Sequence, residues 1–264
     1  MHMSNKQELI FFDDFTSDEL DRSKWNVEVT GKVHNNEQQA YIDSPETIYL
    51  QQGSDSANGV LVIQPRYRKG YVTQHGDTFD FVSGRINTCQ KIEFTYGSVS
   101  ARIRLPVGEG LWPAFWTLGN DGPWPGCGEL DILECVGEPD WVSVAVHGPG
   151  YSGETPLVNK KYFLPPEDAA RWHVYSLDWM PNDLIFKVDG QLIYRVSRPT
   201  VEFLGNWVFD NSHYLILNFA LGGVYPFKTN GVRVPYYGIP EATVNAVCND
   251  GINLLVDWVK VTGI

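Results

Sequence analysis

The sequence predicts an all-β sandwich. Three observations carry this prediction: apolar residues alternate with polar ones or form short β-branched runs, turn residues separate these runs at short intervals, and helix signals are scarce. The composition agrees, because 9 Trp, 13 Tyr and 13 Phe accompany 25 Gly and 16 Pro. Aromatic and β-branched residues favour strands, and Gly and Pro favour the turns between them.

Six segments have the composition of strands. In chain order they are residues 59–63, 97–105, 142–146, 172–179, 184–188 and 254–261. Asp189–Gly190 predicts a tight hairpin turn after the fifth of them. Only residues 165–171 resemble a helical turn, since Pro166 suits a first helical position and acidic residues follow it. The Gly- and Pro-rich stretches 148–166 and 225–253 are predicted to be ordered loops over the sheets.

Size and charge exclude several classes of protein. The 264 residues are 43% apolar, and no linker, repeat or low-complexity segment divides them. We therefore expect a single domain over residues 1–264, with residues 1–8 a cloning remnant or a flexible start. No apolar run approaches the roughly 18 residues that span a bilayer, so no membrane association is expected. The net charge of -12 would repel a phosphate backbone, which excludes nucleic acid as a partner.

The four cysteines lack the paired spacing of a structural zinc site. They are Cys89, Cys127, Cys135 and Cys248. Free thiols and one disulfide are both compatible with the sequence.

Three carboxylates fall within six residues of segment 128–135. Glu129, Asp131 and Glu134 would scatter around an α-helix, and a regular strand would place Glu134 on the face opposite to the other two. One inserted residue near Ile132–Leu133, which is a β-bulge, would bring all three acids to one face.

Acids grouped on one strand favour a catalytic site. Like charges a few ångströms apart raise each other's pKa, so such a group is costly unless it shares protons or meets a substrate. Retaining glycoside hydrolysis requires two carboxylates about 5 to 5.5 Å apart, one to attack the anomeric carbon and one to protonate the leaving oxygen. A solvated acidic edge strand is the alternative that the spacing leaves open.

Six sequence blocks follow one another along the chain: LDRSKW at 20–25, NNEQQAY at 35–41, SGRINT at 83–88, GLWPAFWTLG at 110–119, GELDILEC at 128–135 and VHGPGY at 146–151. In these blocks, and more broadly over residues 12–261, the sequence resembles glycoside hydrolase family 16, and in particular its laminarinase-like endo-β-1,3-glucanases. The resemblance implies a jelly-roll β-sandwich whose concave sheet carries a substrate cleft.

The resemblance assigns catalytic roles to the three acids. It makes Glu129 the nucleophile, Glu134 the acid/base, and Asp131 the residue that hydrogen-bonds and tunes the nucleophile. The inserted residue is typical of laminarinases, agarases and carrageenases, whereas lichenases and xyloglucan transferases lack it. A sulfated polymer would need a cationic cleft, which a chain of charge -12 is poorly placed to provide. A β-glucan polysaccharide or oligosaccharide is therefore the expected partner.

By the same resemblance, six further residues are expected to bind substrate. They are Asn36, Arg85, Trp112, Trp116, His147 and Tyr225. The indoles would stack on sugars, and the Asn and Arg side chains would hydrogen-bond hydroxyls. Tyr225 stands where many laminarinases carry a stacking Trp, and it offers a smaller aromatic face. An ion pair with an acidic residue is the alternative role for Arg85, and an ordinary polar strand end is the alternative role for His147.

The resemblance also implies a structural calcium ion, although catalysis is expected to need no cofactor. Its ligands would be Asp14, the backbone at Gly59 and the side chain of Asp257. Oxygen ligands from separate strands suit this hard cation. Ordinary surface acids are the alternative.

Together these features predict a retaining endo-glycosidase that hydrolyses internal β-1,3-glucosidic bonds of laminarin-type glucans by double displacement. Two alternatives stay open: a same-family hydrolase or transglycosylase acting on mixed-linkage β-glucan or agar, and a non-catalytic glucan-binding lectin. The intact acids favour an enzyme. We expect a monomer that is secreted or periplasmic, with a signal peptide absent from this sequence.

Overall fold

The computed structural model describes residues 7–30, 33–53, 58–138 and 140–264. Within these residues the chain forms two large β-sheets and a small third one, so the predicted all-β fold is confirmed. The strands, numbered in chain order, are β1 (Leu9–Asp13), β2 (Asn26–Val27), β3 (Gln39–Tyr41), β4 (Ile48–Gln52), β5 (Gly59–Ile63), β6 (Arg66–Val72), β7 (Thr78–Ser83), β8 (Arg85–Asn87), β9 (Gly97–Arg104), β10 (Leu111–Gly119), β11 (Glu129–Glu134), β12 (Trp141–His147), β13 (Leu157–Tyr162), β14 (Trp172–Met180), β15 (Asp183–Val188), β16 (Gln191–Ser197), β17 (His213–Leu221) and β18 (Leu254–Thr262).

The two large sheets contain different strands, and only the second contains the acidic strand. The first sheet has the order β16-β15-β14-β9-β18-β5-β4, with β1 paired to β18. The second sheet has the order β13-β12-β11-β10-β17-β8-β2 and carries the acidic strand β11 near its middle. The small sheet has the order β3-β7-β6, with β3 and β7 parallel.

A continuous apolar core lies between the two large sheets. Burial alternates along β14, which sends Tyr175, Leu177 and Trp179 inward from the first sheet. Phe115 of β10 and Leu130 of β11 join the same cluster from the second sheet. Because alternate residues of a strand point to opposite faces, the other face of the second sheet is left to carry polar and aromatic groups.

All six predicted strands are present as β5, β9, β12, β14, β15 and β18, each with ends within one residue of the prediction. The predicted hairpin turn joins β15 to β16. Its central residues both have positive φ, 50° at Asp189 and 76° at Gly190, as a type I′ turn requires. None of the four cysteines, all of which lie in the described residues, forms a disulfide.

Helices were predicted less well than strands. The predicted helical turn is a 3-10 helix at Pro166–Ala170. The described residues also contain α1 (Arg198–Leu204), α2 (Val224–Asn230) and α3 (Glu241–Cys248), so the prediction of a loop over 225–253 is wrong. Helices of seven or eight residues make only about two turns, too few to display the 3.6-residue period. No helix in the described ranges is long and apolar enough to cross a membrane.

Candidate active site

A β-bulge in β11 brings the three acids to one face of the second sheet. Asp131 lies opposite Ala145 of β12, and Glu134 lies opposite Ser143. Three residues along β11 therefore match only two residues along β12. The pairing of β11 with β10 also shifts here and leaves Ile132 unpaired. The extra residue reverses the side-chain alternation, so Glu134 returns to the face of Asp131. The predicted bulge is confirmed.

The acids form one buried, electrostatically coupled group. Asp131 is only 4% exposed, and burial raises its pKa above the ordinary range. Burial also raises the pKa of Glu129 and Glu134, and the negative charge of Asp131 raises both further. Because β11 lies between two paired strands, and because Asp131 is buried and both glutamates are half-buried, the alternative of a solvated acidic edge strand is wrong.

Two tryptophans donate hydrogen bonds to the two glutamates. The indole N–H of Trp124 donates to Glu129 Oε2 at 3.0 Å, and that of Trp112 donates to Glu134 Oε1 at 3.1 Å. Each donation favours the ionised carboxylate and so lowers its pKa, which partly offsets the effect of burial. Each glutamate thus has one oxygen held by an indole and one oxygen without an indole donor.

His147 lies beside the acids at the end of β12. Its Nε2 is 3.1 Å from Asp131 Oδ2 and 3.7 Å from Glu129 Oε1. Its Nδ1 accepts the backbone N–H of Gly153 at 3.2 Å. The neutral ring therefore carries its proton on Nε2, facing the acids. Strand pairing also places His147 directly opposite Glu129, so it is more than an ordinary polar strand end.

Trp116 anchors a polar network beside the acids. Strand pairing places it opposite Asp131, and its indole N–H donates to Asn218 Oδ1 at 2.8 Å. The Arg85 guanidinium lies over the Trp116 ring, 5.0 Å from the ring centroid. Arg85 Nε is also 2.8 Å from Glu28 Oε2, so the ion pair considered for Arg85 is present together with the stacking contact.

Tyr225 lies on the other side of the acids, in the first turn of α2. Its hydroxyl is 3.0 Å from Ser143 Oγ. Its ring packs edge-on against Trp112, with the centroids 5.6 Å apart, and lies 6.5 Å from the Trp141 ring. Tyr225 therefore adds an aromatic surface beside Glu134.

Asn36 is the one predicted binding residue for which the structure shows no contact with this group among the described residues. It is exposed in the loop before β3, with a φ of 55°. The carbonyl of the preceding Asn35 accepts the N–H of Val224 at 2.8 Å. This bond ties the loop to the start of α2, close to Tyr225 in the chain.

Sequence reasoning missed Trp124 and Asn218. Trp124 is 49% exposed and contacts Glu129 directly. The available signal was a Trp–Pro pair only five residues before Glu129. Asn218 comes from β17, and its Nδ2 donates to the hydroxyl of Tyr41 at 3.0 Å. Nothing in the sequence around Asn218 marks that contact.

Strand pairing brings the three predicted calcium-site positions to one part of the first sheet. Both β1 and β5 pair with β18. β1 ends one residue before Asp14, β5 begins at Gly59, and Asp257 follows the residues of β18 that pair with β5. Asp257 is buried, and its Oδ1 has no hydrogen-bond partner. A buried carboxylate oxygen without a partner fits a cation ligand, although Arg102 Nη1 already contacts Oδ2 at 2.5 Å.

A second set of potential metal ligands coincides with the acid group. Glu129, Asp131 and His147 each offer one ligand atom, and these atoms lie within 4.8 Å of one another. Both carboxylates of this set belong to the acid group described above, so that group already explains why the three residues lie together.

A two-sheet β-sandwich that holds paired glutamates between aromatic rings defines a glycoside hydrolase. The chain belongs to the glycosyl hydrolases family 16, which it matches over residues 23–215.

Known proteins are similar to this chain in sequence and in fold. Glucan endo-1,3-beta-glucosidase A1 from Niallia circulans is 33% identical over 277 residues, covering 96% of this chain and 37% of that protein. This chain therefore spans little more than a third of that relative. The X-ray structure of endo-beta-1,3-glucanase from Pyrococcus furiosus is 33% identical, with a TM-score of 0.82 and coverage of 97% of this chain and 94% of that one. The laminarinase catalytic domain from Thermotoga maritima MSB8 is 30% identical, with a TM-score of 0.81 and 98% coverage of both.

Proposed function

We propose that this chain is a retaining endo-β-1,3-glucanase that hydrolyses laminarin-type β-glucans by double displacement. One observation carries the proposal: Glu129 and Glu134 lie on the same face of a bulged strand, and each is held by one indole N–H. The names of the related endo-1,3-glucanases and laminarinase support the choice of linkage.

In the first step, the free oxygen of Glu129 attacks the anomeric carbon. The bond from that carbon to the glycosidic oxygen breaks, and Glu134 donates its proton to the departing oxygen. Burial and the charge of Asp131 raise the pKa of Glu134, which favours its protonated form in this role. The same causes raise the pKa of Glu129, and the hydrogen bond from Trp124 favours the ionised form that attacks. The Trp124 N–H holds Glu129 Oε2, so Oε1 is the oxygen available to attack.

In the second step, Glu134 acts as a base. It removes a proton from a water molecule, the water oxygen attacks the anomeric carbon, and the ester to Glu129 breaks. Two inversions at one carbon leave the product with the configuration of the substrate. Asp131 and the Nε2–H of His147 lie next to Glu129 and orient its carboxylate through both steps.

The glucan chain is proposed to lie across the strands of the second sheet. Trp116 and Arg85 form a stacked surface on the β10 side of the acids, and Tyr225, which packs edge-on against Trp112, contacts Ser143 on the β12 side. Binding surfaces on both sides of the acids suit cleavage inside a chain, and Asn36 is proposed to extend the binding surface from its exposed loop.

Release of reducing sugar from laminarin, lichenan, agarose and xyloglucan tests this proposal. We expect the highest kcat/KM on laminarin. Preference for lichenan or agarose would instead support a same-family hydrolase on another polymer, and transfer products formed without a net gain of reducing ends would support a transglycosylase. Binding without hydrolysis of any polymer would support a lectin.

We also propose that Asp14, the Gly59 carbonyl and Asp257 bind calcium for structural purposes, on the strength of the partnerless Asp257 oxygen. Calcium should then raise the melting temperature of the wild type and leave that of Asp257→Asn unchanged. A wild-type melting temperature that is the same in calcium and in chelator would contradict the site.

We further propose that the protein is a monomer that acts outside the cytoplasm, because a polymeric glucan is met there. Light scattering coupled to size exclusion tests the oligomeric state. Fractionation of the producing cells, with the chain detected by antibody, tests the location.

A further inference from the structure

An ion pair joins two segments on opposite sides of the acid group. Lys228 Nζ contacts Glu154 Oε2. Glu154 lies in the segment that follows β12, and Lys228 lies in the last turn of α2, which follows β17. The two residues are 74 positions apart, so the contact is a long-range one.

Both segments lie on the face of the second sheet that carries the acids. Next to Glu154, the Gly153 N–H donates to His147, whose other nitrogen faces Asp131. A methyl group placed on Gly153 would lie 3.9 Å from Cη2 of Trp124. At the other end, α2 is held on this face by the contact of Tyr225 with Ser143.

The two anchor points lie at separate positions along β12. His147 and Ser143 are four residues apart, which is about 13 Å along a strand. His147 is level with Glu129, and Ser143 is level with Glu134. The ion pair thus links a segment anchored level with Glu129 to a segment anchored level with Glu134, which is a connection along β12 and transverse to the proposed glucan path.

We propose that Glu154 and Lys228 are specificity-determining residues: their ion pair bridges the β12 side of the cleft and restricts the entry of long glucan chains more than that of short oligosaccharides. This inference depends on the proposed function. A long chain bound across the strands has to pass beneath the bridge or wait for it to open, whereas a short oligosaccharide ends before reaching it.

The bridge is weak enough to open during each binding event. The two side chains are 45% and 73% exposed, and exposed ion pairs shift an equilibrium by at most about fivefold. Salt screens such pairs, so the restriction should fade as ionic strength rises.

The experiment compares kcat/KM on a soluble polymeric β-1,3-glucan and on a β-1,3-linked pentasaccharide. We expect Glu154→Gln and Lys228→Met each to raise the polymer value about two- to fivefold while the pentasaccharide value changes less than about twofold. Sodium chloride should raise the wild-type polymer value to the same level and leave the variants unchanged. The double variant Glu154→Lys/Lys228→Glu should restore the wild-type ratio.

A control variant removes an ion pair far from the cleft. Asp183→Asn breaks the pair with Arg195 on the first sheet and should leave both values unchanged. Unaltered polymer values in the Glu154 and Lys228 variants would overturn the inference. An equal fall on both substrates would also overturn it, because the pair would then act by positioning His147. Failure of the proposed function looks different, since the wild type would then hydrolyse neither substrate.

Discussion

At the scale of single residues, the acid group works against folding at neutral pH. Burial raises the pKa of Glu134 above that of the unfolded chain. The stability that protonated Glu134 contributes is therefore fully present below the pKa of the unfolded chain. It is lost as the pH rises through the folded pKa of about 8. Glu134→Gln, which carries no charge, should raise the melting temperature at pH 8 by at least about 2 °C and by less at pH 5.

Thermal unfolding of both proteins at the two pH values checks this prediction. The exposed Glu154→Gln variant is the control and should show no such pH dependence. A shift of equal size at pH 5 and pH 8 would mean that ionisation of Glu134 is not the cause.

A second prediction at this scale concerns the missed Trp124. Trp124→Phe keeps a ring but removes the N–H that holds Glu129 Oε2. Hydrogen bonds to charged groups contribute about 1.5 to 3 kcal/mol, so kcat should fall roughly 10- to 100-fold. Trp172→Phe is a matched control, because the buried Trp172 Nε1 has no hydrogen-bond partner. Similar kcat values for the two variants would show that the bond to Glu129 has no catalytic role.

At the scale of elements, the bulge in β11 decides where the acids point. Inserting one alanine between Leu133 and Glu134 adds a second extra residue, which turns Glu134 toward the core or shifts the strand register. We expect a loss of activity of at least about 100-fold, the usual contribution of a general acid. Ile132→Val keeps the residue count and should retain most activity. An insertion variant that is folded by circular dichroism and still active would contradict this account of the bulge.

The elements also show how far sequence reasoning reaches. Six of the eighteen strands in the described residues and the bulge were predictable because period-two alternation, short β-branched runs and the odd spacing of the acids are local patterns. The contact of Trp116 with Asn218 and that of Tyr225 with Ser143 were not, because each joins residues 82 or more positions apart in the chain. α2 was missed because Gly223 and Pro226, which indicate a loop in sequence, lie at its first turn.

At the scale of the whole molecule, binding surfaces on both sides of the acids predict internal cleavage. Early products from laminarin should be mixed oligosaccharides, and Trp112→Ala should weaken the binding of long substrates more than the binding of short ones. Chromatography of products from the first minutes checks the first point, and KM values for laminarin and for short oligosaccharides check the second. Glucose as the sole early product would show an end-acting pocket in place of the open cleft.

The central claim is that Glu129 forms the covalent intermediate, and chemical rescue of the Glu129→Ala variant tests it most directly. An aryl β-glycoside of a β-1,3-linked oligosaccharide serves as substrate, with azide added as an external nucleophile. If Glu129 is the nucleophile, azide enters the vacated space and restores turnover, and NMR of the product shows a glycosyl azide of inverted, α configuration. Formation of the α-azide by Glu134→Ala alone, with no rescue of Glu129→Ala, would contradict the account and exchange the two roles.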